Sequence, residues 1–400
     1  MPVIQTSGKE IVKALFIVWI AHFLVDMMIG FWSVYKTLAA LDIAVMGLIA
    51  GVCPFVGEGM QVFFGSLGDK GYRKILLAIG LGAAAFNALI PYTYNYGILF
   101  GFYLLTCLGS GAFHPSAVAI ASSLTKNRKG LFVTIFASGG AFGLAISHFV
   151  FSTFYDHGKE TLAYLMIPSF ILMFYVLLTK LPGTFSMPAL PGRKYGFQDM
   201  KKLFQCPELL NLYFFQVCNQ SIVWGLIFLL PDILHSKGYD SWIAFGAGHF
   251  CLIVGGACMM VPGGYLSDKY SAKIVLIISN LFGMILLYLF LFVSHLPATG
   301  VLTLLFALGA ALNVATPVAV AFGNRIMPSR PGLVSAFLMG MVWCVSEGIG
   351  PGGGGLLTKL FVEDAPTKAM AIIGVFFFFA KAFVYSLPRV VEKPFEIEYI

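Results

Sequence analysis

Apolar residues run along this chain in long unbroken blocks, separated by short clusters of charge or by Pro, Gly and Asn, with no period-two alternation. The segment Ile372–Phe379, IIGVFFFF, shows the type. A helix needs about 20 mainly apolar residues to cross a bilayer. Twelve blocks of that kind occur. In the first half they lie near 12–36, 44–67, 74–93, 97–124, 130–153 and 161–180. In the second half they lie near 207–234, 242–266, 273–294, 299–325, 332–357 and 367–388. Strands of a membrane barrel would alternate apolar and polar positions, so the predicted elements are helices. Lys9 and Lys13 precede the first block as they would in a signal peptide. That block continues to about Tyr35 and more follow, so it is expected to stay as the first helix.

Composition agrees with a chain that lives in a membrane. Of its 400 residues 59% are hydrophobic and 11% charged, against about 25% charged in a soluble domain. Mean hydropathy is +0.88. A disordered chain, a collagen-like repeat and a nucleic-acid-binding domain are all excluded. The net charge of +7 then has to come from topology. With the N-terminus placed in the cytoplasm, nineteen of the 25 basic residues fall on that side of the twelve blocks. Lys36, Lys159, Lys237, Lys359 and Lys368 fall on the other, and Lys381 lies inside the last block. Basic residues accumulate in cytoplasmic loops, so both termini and the central loop are expected there, in a multi-pass protein of a cell membrane, a bacterial inner membrane. The one long polar stretch, 181–206, holds Pro182, Pro188, Pro191, Arg193, Lys194, Lys201 and Lys202, and its Lys-Lys end could form a short amphipathic surface helix. It predicts a six-helix bundle over 1–182, a linker over 183–206 and a second six-helix bundle over 207–400. The seven cysteines form no C-x-x-C pair and six lie within apolar runs, where they read as small filler residues.

The two halves carry a weak duplication. Gly65-Ser-Leu-Gly-Asp69-Lys70 after the second block matches Gly264-Tyr-Leu-Ser-Asp268-Lys269 after the eighth, and Arg128-Lys129-Gly130 matches Arg330-Pro331-Gly332. Two six-helix halves joined by a basic loop resemble the major facilitator superfamily. GSLGDKGYRK at 65–74 is similar to that superfamily's loop signature G-x-L-a-D-r-x-G-r-k, with Tyr72 in place of the second glycine. The second copy, GYLSDKYSAK at 264–273, has Ser271 in place of Gly and Ala272 in place of the basic residue. Gly65 permits close helix approach, and Asp69 can accept bonds from a helix N-terminus or a basic group. Gly65, Asp69, Arg73, Gly264 and Asp268 therefore form a candidate cytoplasmic latch. A narrower likeness rests on about 120 residues: His22-Phe-Leu-Val-Asp26, Gly109-Ser-Gly-Ala-Phe-His114-Pro115, and Gly130-Leu-Phe with Gly139, Gly140 and Gly143 resemble the fosmidomycin-resistance branch. That likeness implies proton-driven drug efflux.

A charge at mid-membrane costs several kcal/mol and marks a candidate functional site. His22 and Asp26 are four apart and share one face of the first span. His114 lies at comparable depth in the fourth. The resemblance implies that spans one, four, seven and ten line a central cavity, which would bring His22, Asp26 and His114 together for proton coupling or substrate binding; a purely structural hydrogen-bond cluster is the bland alternative. Glu58, between glycines in span two, is the second candidate proton carrier or an inter-bundle contact. Glu347, in SEGIGPGGGG of span eleven, divides the same way, with its glycines suiting close packing and bending. Asn219, Gln220 and Trp224 in span seven, and Asn313 and Thr316 in span ten, are candidate substrate contacts. His148 and His249 read as helix-to-helix hydrogen-bonding residues, Lys381 as a snorkelling or paired lysine, and Phe376–Phe379 as lipid-facing bulk.

There is no Walker loop, G-x-S-x-G or H-E-x-x-H. The expectation is a transporter and not an enzyme, with no resident cofactor or metal and the proton gradient as its energy source. Its partners would be a small-molecule substrate, protons and the lipid bilayer, with no nucleic acid, and the chain would work as a monomer. The leading reading is a proton antiporter exporting a drug or metabolite by alternating access. A proton-coupled importer, a divalent-metal transporter using His22, Asp26 and His114, and a non-transporting membrane receptor are the alternatives.

Overall fold

The computed structural model describes residues 8–125, 128–183, 203–294 and 296–388. Most of the linker, with Arg193, Lys194, Lys201 and Lys202, lies outside the described residues. Among them there is no β-strand, and eleven helices are long and apolar enough to cross a membrane. Ten match single predicted blocks. The eleventh, Ile43–Tyr92, has 50 residues, about 75 Å at 1.5 Å per residue against a hydrocarbon core of about 30 Å. It also contains Gly71 at φ 104°, a left-handed residue that ends one helical run before Arg73 starts the next. It therefore holds spans two and three, and the all-α architecture with twelve spans stands.

Two compact units divide the chain. The first takes residues up to Leu41 and those from Val56 to the central stretch; the second takes Asp42–Phe55 and everything after that stretch. Span two is thus shared at a point next to Pro54, a proline inside the helix Ile43–Gly59.

Glycine sets the helix approaches inside each unit. In the first, a Cβ on Gly139 or Gly143 of span five would strike the backbone of Trp19 or Phe23 in span one. A Cβ on Gly111 of span four would strike the Gly57 carbonyl of span two, and one on Gly57 would strike Cys107. The second unit repeats that last contact 198 residues further along (57 to 255, 111 to 309): a Cβ on Gly255 would meet the Phe306 carbonyl, and one on Gly309 the Leu252 carbonyl. The duplication read from the loops therefore extends into helix packing. Small residues that let backbones touch are how helices associate in a bilayer, where burying apolar surface gains little.

Span seven, Pro207–Ser236, is buried along almost its whole length and forms the axis of the second unit. Tyr213 stacks on Phe337 with ring centroids 4.6 Å apart, within a core cluster that includes Leu209, Phe322 and Val334. The glycine run of span eleven packs backbone to backbone: Gly350 against Ser221 and Gly225, and Gly355 against Gly47 of span two. At the same end Asp42 caps the helix from Ile43, its Oδ1 accepting from the Ala44 N–H at 2.9 Å and the Val45 N–H at 3.2 Å. Its Oδ2 accepts from Lys359 Nζ at 2.5 Å. That bond holds the Asp42 carboxyl below the ordinary aspartate range.

Two lysines expected in loops are tied into the helices. Lys36 is completely buried, with its ammonium 3.1 Å from the Thr37 hydroxyl. Lys237 donates to the carbonyls of Leu291 and Val293 at 2.9 and 3.2 Å, closing the C-terminus of span nine. Burial pulls its ammonium below the usual lysine range.

Candidate cation site in the first unit

His22 and Asp26 stand one turn apart on span one, and His114 reaches them from span four. The His22 Nε2 atom lies 3.2 Å from Asp26 Oδ2, and His114 Nε2 lies 3.4 Å from Asp26 Oδ1. The two Nε2 atoms are 3.2 Å apart. Aromatic neighbours fix the His22 ring: it stacks on Phe136 at 4.2 Å with an interplanar angle of 15°, and His114 meets it edge-on at 5.0 Å.

The far side of each imidazole decides what the near side can do. His22 Nδ1 is 2.9 Å from the Phe136 carbonyl, and His114 Nδ1 is 3.0 Å from the Ser110 carbonyl. A carbonyl only accepts, so each Nδ1 carries the N–H and donates; the tautomers are assigned from these partners. The Ser110 hydroxyl, 3.0 Å from His114 Nδ1, then takes a share of the same N–H. With both rings neutral, each Nε2 presents a bare lone pair. Two lone pairs and a carboxylate converge, and Asp26 Oδ1 is buried without a hydrogen-bond partner. Three acceptors at that spacing repel unless positive charge sits among them. The arrangement can hold a cation among its acceptors, a proton being the smallest.

Span five completes the site by what it lacks. A Cβ on Gly140 would overlap His22 Nε2 and Asp26 Oδ2. Glu58 of span two is half-buried, hydrogen-bonds Gln61 and interacts electrostatically with His114. His148, fully buried, pairs with Ser33 at 2.8 Å, a bond between spans five and one.

The candidate substrate contacts of the second unit form their own group. Gln220 Nε2 donates to the Thr316 hydroxyl at 2.8 Å, and Asn219 Nδ2 donates to the Leu312 carbonyl at 3.2 Å. Asn313 Nδ2 turns back to the Gly309 carbonyl at 3.1 Å within its own helix. Trp224 Nε1 and Asn219 Oδ1 are buried without hydrogen-bond partners. So are both amide atoms of Gln216, a fully buried residue one turn before Gln220 that sequence reasoning missed. Its i, i+4 spacing to Gln220 was the available signal. Glu347 is half-buried, and His249 is fully buried. Lys381 is exposed, with its ammonium 5.8 Å from the Tyr385 ring.

In the loops that follow spans two and eight the two aspartates differ. Asp69 pairs with Arg73 of its own loop at 2.9 Å. Asp268 pairs with Arg325, at the end of span ten. The basic residue missing from the second loop at Ala272 is replaced by one from another helix. Gly65 would meet only the Pro115 side chain with an added Cβ, and Gly264 nothing at all, so neither enforces a backbone contact here.

The family model described as Major Facilitator Superfamily matches residues 14–351 and 209–398. The chain belongs to the major facilitator superfamily. It is 23% identical over 403 residues to the uncharacterised MFS-type transporter YfnC of Bacillus subtilis (strain 168), covering 92% of this chain and 91% of that protein. Among solved structures, it is similar to a bacterial homologue of the human lysosomal transporter Spinster in an inward-facing, unoccupied conformation. The TM-score is 0.81 at 15% identity, over 95% of this chain and 97% of that one. The nucleoside transporter NupG gives a TM-score of 0.74 at 15% identity, over 93% and 98%. At these identities the structures speak to the fold alone. Superfamily membership makes this chain a membrane transporter of small molecules.

Proposed function

We propose that the chain is a proton-coupled secondary transporter working by alternating access, exporting a drug or metabolite in exchange for protons. The observation that carries the coupling is the meeting of His22 Nε2, His114 Nε2 and the Asp26 carboxylate, three acceptors 3.2 to 3.4 Å apart that need a cation between them. A proton bound there joins spans one and four; its loss leaves mutual repulsion. Site occupancy and helix positions are thereby linked, which is what a coupled transporter requires. The likeness of the His22–Asp26, His114–Pro115 and Gly139–Gly143 segments to the fosmidomycin-resistance branch supports efflux as the direction. Asn219, Gln220 and Trp224 of the second unit, with Thr316, offer hydrogen-bonding groups to an uncharged part of the substrate. Asn313 joins them at the depth of span ten. The basic-residue asymmetry supports cytoplasmic termini in a bacterial inner membrane.

The test starts with a thermal-shift screen of a substrate panel on purified protein. The stabilising compounds are then followed as flux into and out of proteoliposomes, with and without a pH gradient. Uphill movement against an inwardly directed proton gradient is the expected result. Uphill movement with the gradient would make the protein an importer, and flux indifferent to pH would end the proton reading.

A further inference from the structure

The same cluster has the dimensions of a metal site. We infer that His22, Asp26 and His114 bind a divalent transition-metal ion of the zinc class, with His22 Nε2, His114 Nε2 and the Asp26 carboxylate as its protein ligands. The inference rests on reading the cluster as a cation site and names a cation that fits it beyond the proton.

Three observations carry it. The first is size. Ligand bonds of about 2.0–2.1 Å to tetrahedral zinc place neighbouring ligand atoms about 3.3 Å apart. The separations here are 3.2 Å between the two Nε2 atoms, 3.2 Å from His22 Nε2 to Asp26 Oδ2 and 3.4 Å from His114 Nε2 to Asp26 Oδ1, each close to a ligand edge of that length. The carboxylate turns one oxygen towards each imidazole, and an ion seated between the rings takes one of the two as its third protein ligand.

The second is outer-shell support. A metal-binding histidine usually donates its other ring N–H to a carbonyl or carboxylate, which fixes the tautomer and aims the lone pair. Both histidines do this, His22 to the Phe136 carbonyl and His114 to the Ser110 carbonyl. The ligands come from two helices and are aligned by a third and by the helix's own backbone, so they are set before any ion arrives.

The third is space. Gly140 keeps span five's side-chain volume out of the place where His22 Nε2 and Asp26 Oδ2 face each other. Two imidazoles and one carboxylate leave a tetrahedral ion one position for water or a substrate group, the pattern of a site that exchanges its contents. Nitrogen and carboxylate donors suit zinc, cobalt, nickel and copper over magnesium or calcium. Such an ion could cross alone or as part of a chelate; Zn2+ alone and Zn2+ premixed with a soluble chelate separate these sources.

The test uses the purified full-length protein in detergent, in metal-free buffer, titrated with Co2+ as a spectroscopic stand-in for Zn2+. The expected result is one Co2+ per chain with an intense visible absorption band of tetrahedral type, abolished by Zn2+. His114→Gln and Asp26→Asn should weaken binding by at least about 100-fold, more than the 10–100-fold typical of losing an outer-shell partner. His157→Ala, which removes an exposed histidine, should leave the band unchanged. Variants are compared only where gel filtration and circular dichroism match the wild type, and the wild-type spectrum is decisive alone. A weak octahedral spectrum, or binding that survives Asp26→Asn and vanishes in His157→Ala, would overturn the inference. Absence of the band with Asp26-dependent proton uptake intact would overturn the metal site and leave proton coupling standing. A tetrahedral band without any pH-driven flux would do the reverse.

Discussion

Replacing Gly140 with alanine puts one methyl group where His22 Nε2 and Asp26 Oδ2 meet. That methyl would lie 2.3 Å from His22 Nε2 and 2.4 Å from Asp26 Oδ2, and ordinary van der Waals contact needs about 3.5–4.0 Å, so both side-chain ends must retreat by roughly 1.1–1.7 Å. They are the far ends of side chains and can do so without moving backbone. Alanine in place of glycine also favours the helix by about 1 kcal/mol, against about 1–3 kcal/mol for overpacking. The net change in stability should stay within about 1–2 kcal/mol. The cluster, however, loses the 3.2 Å spacing between His22 Nε2 and Asp26 Oδ2 that lets one cation satisfy all three acceptors. Gly143→Ala is the contrast, because its methyl meets the Phe23 backbone carbonyl, which cannot swing aside. The assay is a thermal-shift midpoint for each variant beside its initial rate of pH-driven flux in proteoliposomes. Gly140→Ala should hold near wild-type stability with flux reduced at least ten-fold, and Gly143→Ala should lose stability first. Wild-type flux in a well-folded Gly140→Ala protein would refute the site.

Three further outcomes follow from the same geometry. Asp268→Asn and Arg325→Gln should slow transport equally, and together no more than either alone, whereas Asp69→Asn should do less because its partner is local; the pair is exposed, so stability should move by only about 0–1 kcal/mol. Asp42 has its carboxyl held low by Lys359, so the contribution of this pair is full above the ordinary aspartate range near pH 3.9 and fades as pH falls through the lower folded value. A thermal-shift gap between wild type and Lys359→Gln should therefore be open at pH 7 and close under strong acid; a gap that widened in acid would contradict the assignment. Cysteine at the exposed positions Lys368 and Lys269, in a cysteine-free background, should react with an impermeant reagent from outside intact cells at the first and not the second. The reverse pattern would invert the topology.

What could be read from the sequence follows from how local each signal is. Span positions were legible because a helix in lipid must be apolar along its whole length. The pairing of His22 with Asp26 was legible because i, i+4 neighbours share a helix face. His114 needed the superfamily's helix arrangement to bring it in. Gly140 is legible in the sequence only as part of a motif, since what a glycine leaves room for lies on another helix. The partner of Asp268 was not legible for the same reason: Arg325 stands 57 residues away, and the loop itself shows only the missing base at Ala272. The sharing of span two between units could not be read, because hydropathy marks a segment as spanning and does not say which helices it packs against. Gln216 met the same criterion as Gln220 and was overlooked.

In the proposed function the coupling cation binds at Asp26 with His22 and His114. The most direct measurement is proton uptake by purified protein in detergent on adding a transported compound, compared among wild type, Asp26→Asn and Glu58→Gln. Asparagine copies the shape of the protonated acid, so Asp26→Asn should still bind the compound but take up no proton, while Glu58→Gln keeps the exchange. Uptake retained in Asp26→Asn and lost in Glu58→Gln would move the coupling site to span two and contradict the account.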